Sequence, residues 1–218
     1  MDQDIPRTLP PLFEAIRRLD DDELAAAIAA GEDVNALDPS DAPERRSTVM
    51  HFAAMFGRAP AIKRLAAAGA NVNAQDAGGS TPLLLAIVAS GLNNKWMSPH
   101  ALDNAQALLD AGATIDMPRT WGTFTTSPLH EAARLGNLAA VRWLVEHGHP
   151  VDAGGWFDER VGVVTPYRAV RLNFGKTSKA YPGTSSRGTR NEVLALLESL
   201  GADTSRPAFK SRSASAAG

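Results

Sequence analysis

The side chains able to do chemistry are soon sorted. There is no cysteine among the 218 residues, so a thiol nucleophile, a thiolate metal site and a disulfide framework are all excluded. A serine or threonine nucleophile would want the Gly-x-Ser-x-Gly elbow, and no such stretch occurs. Carboxylates cluster at Asp20-Asp21-Asp22-Glu23 and at Asp158-Glu159. The first run stands where a helix should begin, and acidic side chains there complement the helix dipole. Both read as solvated charge. Gly175-Lys176-Thr177-Ser178 resembles the end of a phosphate-binding loop, but that loop needs a glycine five residues earlier, where Val170 stands. His51, His130 and the pair His147-Gly148-His149 invite a metal reading. His147 and His149 are assigned instead to a helix end and the turn after it. No catalytic, cofactor-binding or metal-ligating residue is assigned, and the chain is expected not to be an enzyme.

Those side chains need elements to hold them, and composition bounds what the elements can be. Hydrophobic residues make up 44% and charged residues 21%, enough to bury a core and too apolar for a disordered chain. The acidic start lacks the basic head and apolar run of a signal peptide. The longest apolar run, Leu83 to Ala89, is far short of a membrane span. A soluble, cytoplasmic protein is expected, with export as an effector left open. The net charge of −2 conceals a gradient: residues 1–44 carry twelve acidic and three basic side chains, residues 160–218 three acidic and ten basic. The molecule should be polarised end to end.

Five segments share one pattern: a small residue or Thr-Pro, an alanine-rich helix, a second helix, then Gly-Ala-x-Val-Asn. One reads Thr48-Val-Met-His-Phe-Ala-Ala-Met-Phe-Gly57, followed by Ile62-Lys-Arg-Leu-Ala-Ala-Ala-Gly69-Ala-Asn-Val-Asn73. Another reads Ser127-Pro-Leu-His-Glu-Ala-Ala-Arg-Leu-Gly136, ending at Gly148-His-Pro-Val-Asp152. The remaining copies run from Pro10 to Asn35, Thr81 to Asp116 and Thr165 to Asp203. Proline at the first helical position loses no needed N–H and has its φ preset. Alanine faces let helices approach closely, and glycine ends each second helix in a left-handed turn. Each helix pair is too small to fold alone and gains a core by stacking.

These residues resemble the ankyrin repeat family over roughly 10–205. The resemblance implies an all-α repeat solenoid of about five helix-turn-helix units with β-hairpin loops. Residues 1–9 are read as an N-terminal extension, and the small, polar stretch 206–218 is expected to be a disordered tail. It also implies that His51 and His130, at the Thr-Pro-Leu-His position, brace loops by hydrogen bonds. The first repeat lacks that start, and the fifth has Arg168 for the histidine, as suits end repeats. Starts at 10, 48, 81, 127 and 165 are separated by 38, 33, 46 and 38 residues. The extra residues fall in hairpins (Asp38–Ser47, Met117–Thr126, Gly154–Val164) and between helices of the third and fifth repeats, near 92–102 and 175–189. Loops of this kind often read a partner.

Partner contacts in such stacks concentrate on hairpin tips and the inner ends of first helices. By phase, those positions include Arg45, Arg46, Met55, Phe56, Phe124, Leu135, Ala89 and Arg134, with Trp121, Trp156 and Phe157 on lengthened hairpins. Aromatics and arginine supply most binding hot spots. Lys176, Lys179 and Arg187 in the last insertion add a basic patch, better matched to an acidic protein surface than to nucleic acid, because the acidic end would repel a long phosphate backbone. Trp143, phased with Leu144, is expected in the core; Trp96 lies in the third-repeat insertion. The expectation is a non-enzymatic module that binds another protein, without cofactor or membrane, a monomer being favoured. An inhibitor or immunity protein is one form of it. The alternatives are a secreted effector that engages host proteins, and a ligand-binding protein or enzyme using the last insertion. The alanine-rich composition suits a bacterial source.

Overall fold

A computed structural model of the chain describes residues 9–38, 45–91, 100–121, 124–154, 156–158, 162–177 and 190–205. Among the described residues, ten helices follow one another in pairs: α1 (Pro11–Arg18) with α2 (Asp21–Ala29), α3 (Val49–Phe56) with α4 (Ala59–Ala67), and α5 (Pro82–Ser90) with α6 (Ala101–Asp110). Then come α7 (Pro128–Leu135) with α8 (Leu138–Glu146), and α9 (Pro166–Thr177) with α10 (Arg190–Ser199). Among the described residues, two antiparallel hairpins of paired strands stand between pairs. β1 (Arg119–Trp121) pairs with β2 (Phe124–Thr126), and β3 (Trp156–Asp158) with β4 (Gly162–Val164). The first helices α1, α3, α5, α7 and α9 stack in sequence as one layer, with the second helices behind them. This is the all-α repeat solenoid.

Local chemistry explains each boundary. Thr81 and Ser127 accept from the backbone N–H of Leu84 and His130, three residues into α5 and α7, and proline follows each at the first helical position. Pro10 has no side-chain donor or acceptor for this task. The carboxylate of Glu32, from the turn after α2, reaches back instead and accepts from Leu12 N–H at 3.2 Å. Asp20 caps α2, accepting from Asp22 N and Glu23 N at 3.0 and 2.9 Å, so the acidic run opens a helix. Asp20→Ala should lower stability by about 1 kcal/mol in urea unfolding; an unchanged midpoint would show the cap to be idle. The glycines closing the second helices share positive φ, from 84° at Gly31 to 95° at Gly148. Gly57 is needed for room instead, because a Cβ there would stand 2.7 Å from the Ala53 carbonyl oxygen.

The core is continuous along the stack, built from small and branched residues such as Ala53, Ala86, Ile87, Leu108, Leu129, Ala132 and Leu144. Phe13 packs edge-on to Phe52, and Phe52 tilts against Phe56, with ring centroids 5.5 and 4.8 Å apart. Four placements differ from the sequence reading. Leu135 and Ala89 are buried rather than lying on the open face, Leu135 because it packs into the space left by Gly91. Trp143 is only half-buried: Ala140, Val141 and Leu144 fill the core side of α8, and the indole stacks at 4.3 Å on His147. His149 is no ordinary turn residue, since it is buried at 2% exposure.

Polar ladders tie successive repeats. Asn35 Nδ2–H donates to the Gly69 carbonyl, and its Oδ1 accepts from Asn71 N–H at 2.8 Å. Asn73 does the same one repeat later, with the Gly112 carbonyl and Thr114 N–H. Asp152 accepts from Asp203 N–H at 3.0 Å. In the last pair, the Tyr167 hydroxyl donates to Glu198 at 2.6 Å, and this bond to a carboxylate raises the phenol's pKa above its usual 10.

Candidate interaction surface

Two buried histidines organise the hairpins. A carbonyl can only accept, so His51 Nε2–H donates to the Ser80 carbonyl at 2.9 Å, while Nδ1 accepts from Thr48 N–H at 3.1 Å. His130 repeats the arrangement: Nε2–H donates to the Val164 carbonyl and Nδ1 accepts from the Ser127 hydroxyl, both at 2.8 Å. Each ring therefore ties the start of one helix pair to the hairpin end before the next. Both nitrogens are used, which leaves no lone pair for a metal. Burial drives the His130 pKa down to about 4, with the Val164 bond opposing.

The hairpins form a row beside the first helices. Ala77 N–H donates to the Arg45 carbonyl at 2.6 Å, Arg119 Nε–H donates to the Gly78 carbonyl at 3.1 Å, and β2 lies against β3. Arg45 and Arg46 are exposed where this row begins, Arg46 in the left-handed region at φ 56°. Met55 and Phe56 are half-buried at the end of α3, and Phe56 is shared between the phenylalanine stack and the surface. Trp121 and Phe124 are cross-strand partners in the first hairpin, and Trp156 and Phe157 pair with Val164 and Val163 in the second. Arg134, half-buried at the end of α7, donates from Nε and Nη2 to Glu131 Oε2 at 2.9 and 2.6 Å. Its guanidinium is thus engaged within its own helix. Lys176 belongs to the last turn of α9, and Lys179, Arg187 and Trp96 lie outside the described residues.

The hairpin row brings Arg45, Arg46, Trp121, Phe124, Trp156 and Phe157 into one series; it does not add Arg134 as a free charge. Sequence reasoning missed Arg119, which belongs to the same row and sits in a hairpin marked only by its extra length. Among the described residues, no three of His, Asp or Glu are grouped so as to hold a metal ion. Among the same residues, no helix is long and apolar enough to cross a membrane.

Paired helices in two layers, hairpins projecting to one side and histidine braces between neighbours define a repeat solenoid with a finger-lined face. Residues 12–118 match the family model for ankyrin repeats in three copies, and residues 126–156 match that for a single ankyrin repeat. The chain belongs to the ankyrin repeat family, whose repeats are protein-interaction modules. The last pair, α9 and α10, lies beyond the matched residues. A probable E3 ubiquitin-protein ligase, XBOS34, of Oryza sativa subsp. japonica is 32% identical over 93 residues, which is 43% of this chain and 16% of that protein. The chain therefore spans less than a fifth of that relative.

Proposed function

We propose that the chain is a non-enzymatic binding module that grips one protein partner through the hairpin row and the adjoining ends of the first helices. The observation that carries this reading is the series of hairpins, tied finger to finger from Arg45 to β3, in which cationic and aromatic residues recur. Such residues bury much area while few rotors are frozen. The segment shared with the rice protein is short, so its ligase activity is not carried over. A repeat module that grips a partner in this way acts by blocking, sequestering or bridging, and an inhibitor or immunity protein is the form we favour. The basic residues Lys176, Lys179 and Arg187 complement an acidic part of the same partner.

The test is affinity capture from a lysate of the source organism, with wild type beside Trp121→Ala/Phe124→Ala and Lys176→Glu/Lys179→Glu/Arg187→Glu variants. The aromatic variant should lose one specific protein at unchanged helicity by circular dichroism. Loss in the charge variant alone would move the site to the last repeat. Retention of a polyanion with steep salt dependence would favour nucleic acid. If wild type retains no protein under any condition, the binding reading falls.

A further inference from the structure

We propose that the joint between the third and fourth repeats is a built-in break, which divides the solenoid into one cooperative unit ending near Asp116 and a second running from Ser127 to Ser205. Three independent ties found at the flanking joints are missing there together. The first is the ladder. Asp116 stands where Asn35 and Asn73 stand, but a carboxylate has no N–H to give the Gly148 carbonyl. The residue that should donate back is Pro150, the counterpart of Asn71, Thr114 and Asp203, and proline has no N–H. Neither half of the rung can form.

The second is the histidine brace. His51 bridges the second and third repeats through the Ser80 carbonyl, and His130 bridges the fourth and fifth through that of Val164. The same position in the third repeat is Leu84, buried and apolar, so the corresponding carbonyl of Thr126 receives no imidazole. The third is the outer layer. α4 packs along both α2 and α6, and α8 against α10, whereas α6 and α8 are at most in glancing contact.

Buried polar atoms mark the same place. Thr126 Oγ1 and His149 Nε2, like Asn104 Oδ1 on α6, are buried without a hydrogen-bond partner among the described residues, and these two lie at the joint. His149 occupies the position of Ala70, Ala113 and Ala202, small residues that close the other joints. An imidazole with an orphaned nitrogen, within electrostatic reach of Asp116, costs stability where alanine does not. Among the described residues, the joint keeps apolar packing of α5 on α7, a bond from Asn137 Nδ2–H to Ser90 Oγ at 2.8 Å, and finger-side bonds from Arg119 to the Gly78 carbonyl and from Gln75 Nε2–H to the Pro118 carbonyl. The joint is pinned along its fingers and inner helices and open along its outer ones. In a stack whose repeats touch only their neighbours, a weak interface is where cooperativity fails. The inference holds whatever the partner is.

Hydrogen exchange of the full chain, read by mass spectrometry in rising sub-denaturing urea, tests it. The slowest amides of α7 and α8 should exchange as one group, at least tenfold faster than the slowest amides of α3, α4 and α6. A single common rate for both groups at every urea concentration would overturn the proposal. A second chain carrying Leu84→His, Asp116→Asn and Pro150→Thr supplies the missing donors and should merge the two rates. If that chain keeps wild-type helicity and both rates stay apart unchanged, the missing ties are not the cause and the proposal is equally lost.

Discussion

Lowering the pH from 7 to 4 is expected to remove about 3 kcal/mol of stability through His130 alone. The cause is the proton inventory of its site. Nε2 must carry hydrogen to serve the Val164 carbonyl, and Nδ1 must be bare to accept the Ser127 hydroxyl at 2.8 Å. A second proton would turn Nδ1 from acceptor to donor, forcing the Ser127 hydroxyl to reorient, and would place a charge on a residue that is 3% exposed. Burial accordingly lowers the pKa from 6.5 to about 4. The unfolded chain binds its proton near the ordinary value, so it gains over the folded state throughout the interval between the two. Stability is complete above about pH 6.5, declines as the pH falls to about 4, and is flat below that for this group. At about 1.4 kcal/mol per pH unit the loss comes to about 3 kcal/mol. His149, whose pKa burial also lowers, adds in the same direction. Urea unfolding at several pH values reads the slope. His130→Ala should be weaker at pH 7 yet flatter across the window, and an identical slope in the two proteins would refute the assignment.

Asn104→Leu should be the more damaging of single polar-to-apolar changes in the stack. Asn104 lies on α6 at 0% exposure and donates from Nδ2 to the carbonyls of Ala54 and Gly57 at 3.2 and 3.1 Å. Those carbonyls end α3, where Gly57 turns extended (φ −85°, ψ −162°) instead of left-handed. The helix end thus lacks the backbone closure that glycine in the left-handed region provides. Leucine fits the volume and leaves two buried acceptors bare, at about 1–3 kcal/mol each. Asparagine's own Oδ1 has no partner, which returns part of that cost, so a net loss of about 2–4 kcal/mol is expected. The measurement is the urea midpoint at constant m-value. A variant within about 0.5 kcal/mol of wild type, the range usual for featureless positions, would mean that the carbonyls find other donors.

The two residues also show what could be read in advance. His130 was legible because Thr48 to His51 and Ser127 to His130 share spacing, and the resemblance to ankyrin repeats gives that position a loop-bracing role. The helix starts and the terminal glycines were legible for the same reason, being local backbone requirements that recur in phase. Asn104 carried a fainter mark. It stands in the stripe Ala101, Asn104, Ala105 and Leu108 that α6 turns to the core, and a lone amide in such a stripe signals a carbonyl to be satisfied. Which carbonyl is met depends on the packing of α6 against α3, and no periodicity reveals that. Leu135 and Arg134 show the limit for the surface: phase put both at the open end of α7, while Gly91 drew one inward and Glu131 engaged the other. His149 could be suspected only from the alanines that fill its place elsewhere.

The rings of Phe13, Phe52 and Phe56 form the aromatic cluster of the first two repeats, and no tryptophan or tyrosine precedes Trp96. Phenylalanine contributes almost nothing to absorbance at 280 nm or to emission beyond 300 nm, so the front of the stack is optically silent. A melt followed by intrinsic fluorescence sees the rear of the molecule and is blind to two whole repeats. Far-ultraviolet dichroism sees every helix alike. The two traces therefore monitor different parts of one chain, and they coincide only where the whole stack opens at once.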